Sequence, residues 1–427
     1  MAKIPYKRKI HVFADWEGMD NPKQVGYLYS ERLRGKEIFS FEYHKEWLRR
    51  EDTQSLDPDL QHFTGLQFAP DQRENFGMFL DSSPDRWGRV LMRRREAALA
   101  RLEQREELSL YETDYLLGVY DAHRMGSLRF RLEEDGLFLN NNKELASPPW
   151  AQLRELEQVS LKLEEDEVID DPDYLKWLSM LIAPGSSLGG ARPKASITDS
   201  EGGLWIAKFP SKSDTSDIGA WEVVTYEMAL AAGIDMAESR AQKFSTQQHT
   251  FLTKRFDRSI RGERRHFASA MTMLGYTDGD SYTDGVSYLD LVAFLQRNGA
   301  EVAMDLEELW RRIVFSICVS NTDDHLRNHG FILTSTGWRL SPAYDINPVE
   351  TGGGLKLNIS ENDNSLSLEL ALDVATYFRL SQEKAVEIID KVQKAVQPWR
   401  TVATRYNISR GEQALKANAF RHAISTY

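Results

Sequence analysis

Three oxygen-bearing side chains stand where they could do chemistry, in the stretch NTDDHLRNHGFILTSTGWRLSPAYD from Asn321 to Asp345. Asn328 follows Asp323 by five positions, and Asp345 closes the stretch. An aspartate carboxylate can take a proton from a hydroxyl group. A carboxamide and a second carboxylate are hard oxygen ligands of the kind Mg²⁺ accepts, one or two at a time, while keeping much of its water. Together they suit phosphoryl transfer, where metal ions neutralise the phosphates. The plainer alternative is a polar loop whose Asp and Asn only cap a turn.

Such side chains need elements to hold them. Ahead of the stretch, Leu306, Leu309, Trp310, Ile313, Val314, Ile317 and Cys318 recur at three and four residues, which predicts a helix with one apolar stripe. After Asn328, GFIL, the turn signal TSTG and WRL predict a hairpin leading to Tyr344-Asp345. The Asp323-to-Asn328 interval equals that of the H-R-D-x-x-x-x-N loop of protein kinases, with Asp345 in the place of the D-F-G aspartate. In that layout Asp323 is the catalytic base, and Asn328 and Asp345 are the metal ligands. The usual His-Arg is replaced by Asn321-Thr322, and Asp-Phe-Gly by Tyr-Asp-Ile.

Phosphates need donors. The run Gly185-Ser186-Ser187-Leu188-Gly189-Gly190-Ala191-Arg192-Pro193-Lys194 is rich in glycine, whose backbone N–H groups can approach phosphate oxygens closely. It is not a Walker A loop, and alone such a loop is more often simply a turn. ASI, a turn at Asp199 to Gly203 and LWIAKFP predict two strands, the second carrying Lys208 as V-A-I-K does in kinases. The alternative for Lys208 is an exposed strand lysine. A phosphate-binding lysine needs an acidic partner, and AWEVVTYEMALAAGI supplies Glu222 first and Glu227 second. TFLTKRFD, at 250–257, reads as the strand leading to a hinge where adenine would meet Lys254 and Phe256.

The 427 residues suffice for two or three domains with a large core. Hydrophobic residues at 41% and charged residues at 28% are ordinary for a soluble globular protein. One cysteine excludes an internal disulfide framework or a cysteine metal cluster and fits a reducing cytoplasm. No signal peptide and no apolar run of roughly eighteen residues appears, so neither export nor a membrane is expected. A net charge of −12 argues against general electrostatic binding to nucleic acid. Residues 9–43 read as strands and 73–105 as helical, broken at Asp81-Ser82-Ser83-Pro84-Asp85, with Pro84 expected in the first turn of an arginine-rich second helix. Residues 114–132 read as a helix, a glycine turn and a strand. The acidic run 163–173 reads as a linker or exposed helix start, near a boundary at about 150–175.

In this order, the chain resembles the HipA family of bacterial serine/threonine kinases, the toxins of HipBA toxin–antitoxin modules. The resemblance runs through FGMFLDSSPDRWGRVLMRR, DYLLGVYDAHRMGSLRF, SLGGARPK, WIAKFP, the AWE helix with LAAGI, LTKRFDR, NTDDHLRN and SPAYDI. It implies an α+β, protein-kinase-like two-lobed fold with an additional N-terminal α/β subdomain and a mostly helical C-terminal lobe. The expected parts are an N-terminal subdomain at 1–150, a glycine-loop lobe with the hinge at 151–265, and a helical lobe with the catalytic and metal-binding loops at 266–427.

By the same resemblance, Ser187 corresponds to the serine that family members autophosphorylate, with Ser186 an adjacent alternative. The charge added there would repel nucleotide phosphates. Lys208, Glu222, Ser187, Gly189, Gly190, Lys194, Lys254 and Phe256 are the expected nucleotide-binding residues, with ATP and Mg²⁺ as cofactors. The resemblance also implies protein substrates, aminoacyl-tRNA synthetases among them, and a HipB-like helix-turn-helix antitoxin through which alone DNA is met. His325 matches a family position, read here as a hydrogen bond to the loop backbone.

This chain departs from the family at Arg192-Pro193, at Lys254-Arg255-Phe256 and at Asp324, a second carboxylate beside the base that can raise its neighbour's pKa or bind metal itself. Other readings are a small-molecule phosphotransferase, a non-catalytic member of a DNA-bound repressor complex, and a metal-dependent hydrolase at Asp323, Asp324 and His325.

Overall fold

Alternating apolar and polar residues in the first forty positions fold as three antiparallel strands: β1 (Tyr6–Ala14), β2 (Lys23–Leu33) and β3 (Lys36–Tyr43). The computed structural model describes residues 6–33, 35–50, 54–182 and 192–424. They divide into two compact units, one of residues 1–207 and 255–277, the other of residues 208–254 and 278–427.

In the first unit, β4 (Gln67–Phe68) and β5 (Leu128–Arg131) complete a five-stranded sheet in the order β4-β3-β2-β1-β5. Ile10 lies opposite Leu28, and Leu28 opposite Phe41, so one face collects Ile10, Val12, Leu28, Phe39, Phe41 and Phe130, all buried. The helix Gly77–Asp81 sets Phe79 against that face, 5.8 Å from Phe41 and 5.9 Å from Phe130 between ring centroids. Gly26 leaves no room for a side chain between β2 and β3: a Cβ there would lie 2.3 Å from the Glu42 carbonyl oxygen and 2.5 Å from the Phe41 ring.

The arginine-rich helix is Arg86–Leu102, with Asp85 as its cap accepting from Gly88 N at 2.8 Å. Pro84 therefore precedes the cap and does not occupy the first turn. Part of the basic run is tied down internally. Arg89 pairs with Glu112, and Arg94 donates to the Leu163 carbonyl, while Arg86 and Arg93 are exposed. Arg124 has no solvent exposure and donates to four carbonyls, those of Ser82, Leu116, Val119 and Leu139. Burial lowers its pKa to about 10. β6 (Lys194–Thr198) and β7 (Leu204–Lys208) flank a turn closed by Asp199, which accepts from Gly203 N at 2.7 Å and from Trp205 Nε1 at 2.8 Å.

In the second unit, the helix Ile218–Ala232 is capped by Asp217 and stopped by Gly233 at φ +87°. The strands β8 (Ser239–Gln242) and β9 (Thr250–Lys254) pair antiparallel. After β10 (Phe267–Ser269) in the first unit, the chain returns to the second with the predicted apolar helix, observed as Val302–Val319. Its stripe of Leu309, Trp310, Ile313, Val314, Ile317 and Cys318 is wholly buried. Burial pushes the Cys318 thiol up to about 12. The predicted hairpin is β11 (Gly330–Thr334) with β12 (Gly337–Leu340), Phe331 opposite Leu340. Helices at Leu368–Val374, Gln382–Val396, Trp399–Arg405 and Arg410–Lys416 complete the unit. Among the described residues no helix is long and apolar enough to cross a membrane.

A methyl group at position 26 has backbone on one side and a ring on the other. Gly26→Ala should therefore destabilise the protein by about 1–3 kcal/mol, read as a lower urea midpoint. An unchanged midpoint would mean that β2 and β3 separate at little cost.

Candidate active site

The site residues that can be placed against one another lie in the second unit. Lys208 closes β7 at the start of that unit and is 8% exposed, not the solvated lysine a strand end usually carries. Its Nζ donates to Glu222 Oε1 and to Asp345 Oδ1, both at 2.6 Å. Burial pulls its pKa down, but Asp345 and Glu222 outweigh burial and keep the ammonium charged. Glu222 reaches it from the first turns of the Ile218–Ala232 helix, which is apolar nearly all round and buried there. Glu227, the second choice from sequence, instead accepts from Arg405 and Tyr406.

Asp345 sits at φ +57°, a left-handed conformation that a non-glycine residue adopts at a cost and that recurs at functional sites. Asn347 supports it: Nδ2 donates to Asp345 Oδ1 at 3.3 Å, and the backbone N–H donates to Asn321 Oδ1 at 3.3 Å. The apolar helix ends in Ser320, also left-handed at φ +50°, which turns the chain into the Asn321–Asn328 loop.

Within that loop two neighbouring aspartates face different surroundings. Asp323 is exposed. Its backbone carbonyl accepts from His325 N at 2.9 Å and from Asn328 Nδ2 at 3.1 Å. Asp324 is 4% exposed and accepts from the Tyr288 hydroxyl at 2.5 Å, with His329 Nε2 at 3.1 Å. Burial would raise the Asp324 carboxyl, but His329 and Tyr288 outweigh it and hold it below its ordinary 3.8. Asp324 thus anchors the loop to the core, a role the sequence left open. His325 contributes backbone bonds, whereas its Nδ1 is buried with no hydrogen-bond partner among the described residues.

The oxygen set fits a hard cation. Asn328 Oδ1 is buried and has no hydrogen-bond partner among the described residues, and Asp345, seventeen positions on, offers a carboxylate whose Oδ1 already accepts from Lys208 and Asn347. No cluster of three or more His, Cys, Asp or Glu side chains capable of holding a metal occurs among the described residues. A cation held here would draw its remaining ligands from nucleotide oxygens and water.

The other expected nucleotide contacts fall in both units or outside the described residues. Ser186, Ser187, Gly189 and Gly190 lie outside the described residues. In the first unit, Lys194 is buried and donates to Asp85 Oδ2 at 2.8 Å, a partner 109 positions away. Phe256 lies in the same unit, its ring 5.9 Å from that of Phe267. Lys254, in the second unit, is 3.4 Å from Glu238. Sequence reasoning missed Tyr288, His329 and Asn347. The only hint of them was the aspartate doublet, since two adjacent carboxylates in one turn seldom point the same way.

A mixed fold of helices and sheets with these elements has a solved counterpart. The HipA chain of a Shewanella oneidensis complex of HipA, HipB and operator DNA matches at TM-score 0.64 and 18% identity, over 97% of this chain and 96% of that one. A slighter likeness, TM-score 0.36 at 12% identity, covers 54% of this chain and 94% of the Helicobacter pylori proinflammatory kinase CtkA. The family model of the HipA-like C-terminal domain matches residues 186–399. The chain belongs to the HipA family. A curated Haemophilus influenzae protein named "Putative kinase" is 26% identical over 180 residues, 38% of this chain. The chain spans about half the length of that relative, 52%.

The depressed Asp324 pKa has a consequence of definite sign. Its carboxylate stabilises the fold above about pH 4, and the contribution is lost as pH falls through the folded-state value. Asp324→Asn should unfold at lower urea than wild type at pH 7, with the gap closing below about pH 4. Tyr288→Phe should cost about 1.5–3 kcal/mol. An equal gap at pH 7 and pH 3 would remove Asp324 as the anchor.

Proposed function

We propose that this HipA-family chain is an ATP- and Mg²⁺-dependent serine/threonine protein kinase acting as the toxin of a toxin–antitoxin module. The observation that carries the reading is Lys208 held at 2.6 Å by both Glu222 and Asp345, with an exposed Asp323 on the loop supported by Asp324. A buried lysine paired with a helix carboxylate, with the last aspartate of an Asp…Asn…Asp set beside it, is the arrangement on which phosphate positioning in a kinase depends.

In this reading Lys208 steadies the α- and β-phosphates, and Glu222 fixes where its ammonium points. Asp323 takes the proton from a serine or threonine hydroxyl. The hydroxyl oxygen bonds to the γ-phosphorus as the bond from that phosphorus to the bridging oxygen breaks, and ADP leaves. Asn328 and Asp345 would hold Mg²⁺, which neutralises phosphate charge when bound. Lys194 would contribute only if its pair with Asp85 opened.

The remaining proposals rest on family membership. The fold is read as two kinase-like lobes behind an N-terminal subdomain, divided at about 150 and 265. Ser187 is the autophosphorylation site, and a protein such as an aminoacyl-tRNA synthetase is the substrate. A HipB-like helix-turn-helix antitoxin is the partner, as in the Shewanella complex. That division suits a chain of net charge −12, which leaves DNA to its partner. The compartment is the cytoplasm.

Intact mass after incubation with ATP and Mg²⁺ tests this. Wild type should gain about 80 Da, one phosphate, and neither Ser187→Ala nor Asp323→Asn should. Asp323→Asn should slow transfer by about 10²–10⁴-fold while still binding nucleotide. No gain in protein free of prior phosphate, together with no labelled lysate protein, would sink the proposal. Chelation by EDTA should abolish the gain and added Mg²⁺ restore it, and Asn328→Ala should need more Mg²⁺ for the same rate. A rate indifferent to EDTA would remove the metal from the scheme.

A further inference from the structure

The C-terminal segment of the second unit touches both the helix that carries Glu222 and the chain that follows Asp345. Glu412, on the helix Arg410–Lys416, accepts two hydrogen bonds through Oε1, from the Asp217 backbone N–H at 2.9 Å and from Trp221 Nε1 at 2.8 Å. Asp217 caps the helix that carries Glu222, and Trp221 is the residue before Glu222. The Trp221 ring is 1% exposed and lies 6.1 Å from both Trp399 and Phe420, which stack on each other at 4.4 Å. The start of the Glu222 helix is therefore seated on residues from the last thirty positions of the chain.

The same segment holds the chain that follows Asp345. Lys416 Nζ donates to Glu350 Oε2 at 2.5 Å and to the Pro348 carbonyl at 3.2 Å, and Asn418 Nδ2 donates to the Glu350 carbonyl at 2.6 Å. That stretch in turn lies against the loop bearing Asp323. Val349 N donates to the Ser320 carbonyl at 3.2 Å, and a Cβ on Gly352 would lie 2.2 Å from the Thr322 side chain. Glu412 and Lys416 are four positions apart, so they share one face of their helix, one gripping each side.

We propose that residues 410–421 form a clasp that sets the Glu222 helix in register with the Asp345 segment, with Glu412 and Lys416 as its positioning residues. The clasp itself is a feature of the fold; its effect on catalysis rests on the kinase reading given above. Its two ends are joined by less than two helical turns of rigid backbone, so loosening one end loosens the other. A lysine held by two carboxylates from separate elements demands that those elements stay in register, and a misplacement of about 1 Å can cost about 10²-fold in rate.

Hydrogen exchange tests the clasp without reference to activity. Lys416→Met removes the grip on Pro348 and Glu350 only. It should nevertheless speed exchange about tenfold or more at the first-turn amides of the Glu222 helix, Ala220 to Val223. Glu412→Ala should do the same for residues 346–352, which it does not touch. Glu412→Gln keeps an accepting oxygen and should return both regions close to wild type, and it covers the case in which Glu412→Ala fails to fold. If each substitution loosens only its own neighbours, the clasp is overturned. In a transfer assay Glu412→Ala should lower kcat about 10²-fold with rescue by Glu412→Gln. Loss of transfer in wild type would overturn the kinase reading and leave the exchange result standing, so the two failures are distinct.

Discussion

A lysine ammonium taken out of water must be matched by negative charge at close range, or it loses its proton. Lys208 meets that condition twice, with Glu222 and Asp345. The two carboxylates come from places remote in sequence, one on a helix just after the strand and one beyond the β11–β12 hairpin. The chain therefore cannot satisfy the lysine without bringing strand, helix and hairpin to one point. A left-handed Asp345, a capped and glycine-stopped helix and an amide brace at Asn347 serve that single requirement.

Asp323 and Asp324 divide the work of a neighbouring loop by burial alone. The first is left in solvent. The second is sunk against Tyr288 and His329, where the Tyr288 hydroxyl and the nearby imidazole favour the ionised form. The loop needs such an anchor because it follows a helix whose residues 312–319 are all buried and must leave it through a strained turn at Ser320. Rigid support from a buried neighbour is what lets an exposed group hold a defined place.

Local pattern carried most of the elements into view. The Leu306-to-Cys318 stripe, the hairpin after Asn328, the strand ending at Lys208 and the three opening strands all follow from periodicity and turn residues that act over a few positions. Glu222 was legible because its helix begins soon after the strand. Partners set by the tertiary fold were not. Lys194 reads as part of a phosphate loop until Asp85, 109 positions earlier, is placed beside it. The Tyr288 hydrogen bond and the His329 contact to Asp324 leave no periodic trace, and the left-handed backbone of Asp345 has no glycine to announce it. The two compact units also interleave along the chain, which a reading that moves from one end to the other divides into consecutive blocks.

The lone thiol has a practical side. Cys318 lies wholly inside the Val302–Val319 helix stripe with its pKa pushed up to about 12, so almost no thiolate exists at neutral pH. Alkylating and oxidising reagents will pass over it while the fold holds. The natural chain is in effect a blank background for sulfur chemistry. A cysteine introduced on the surface would carry a dye or spin label by itself, and a pair of them would report distances between the units, with no native residue to be removed first.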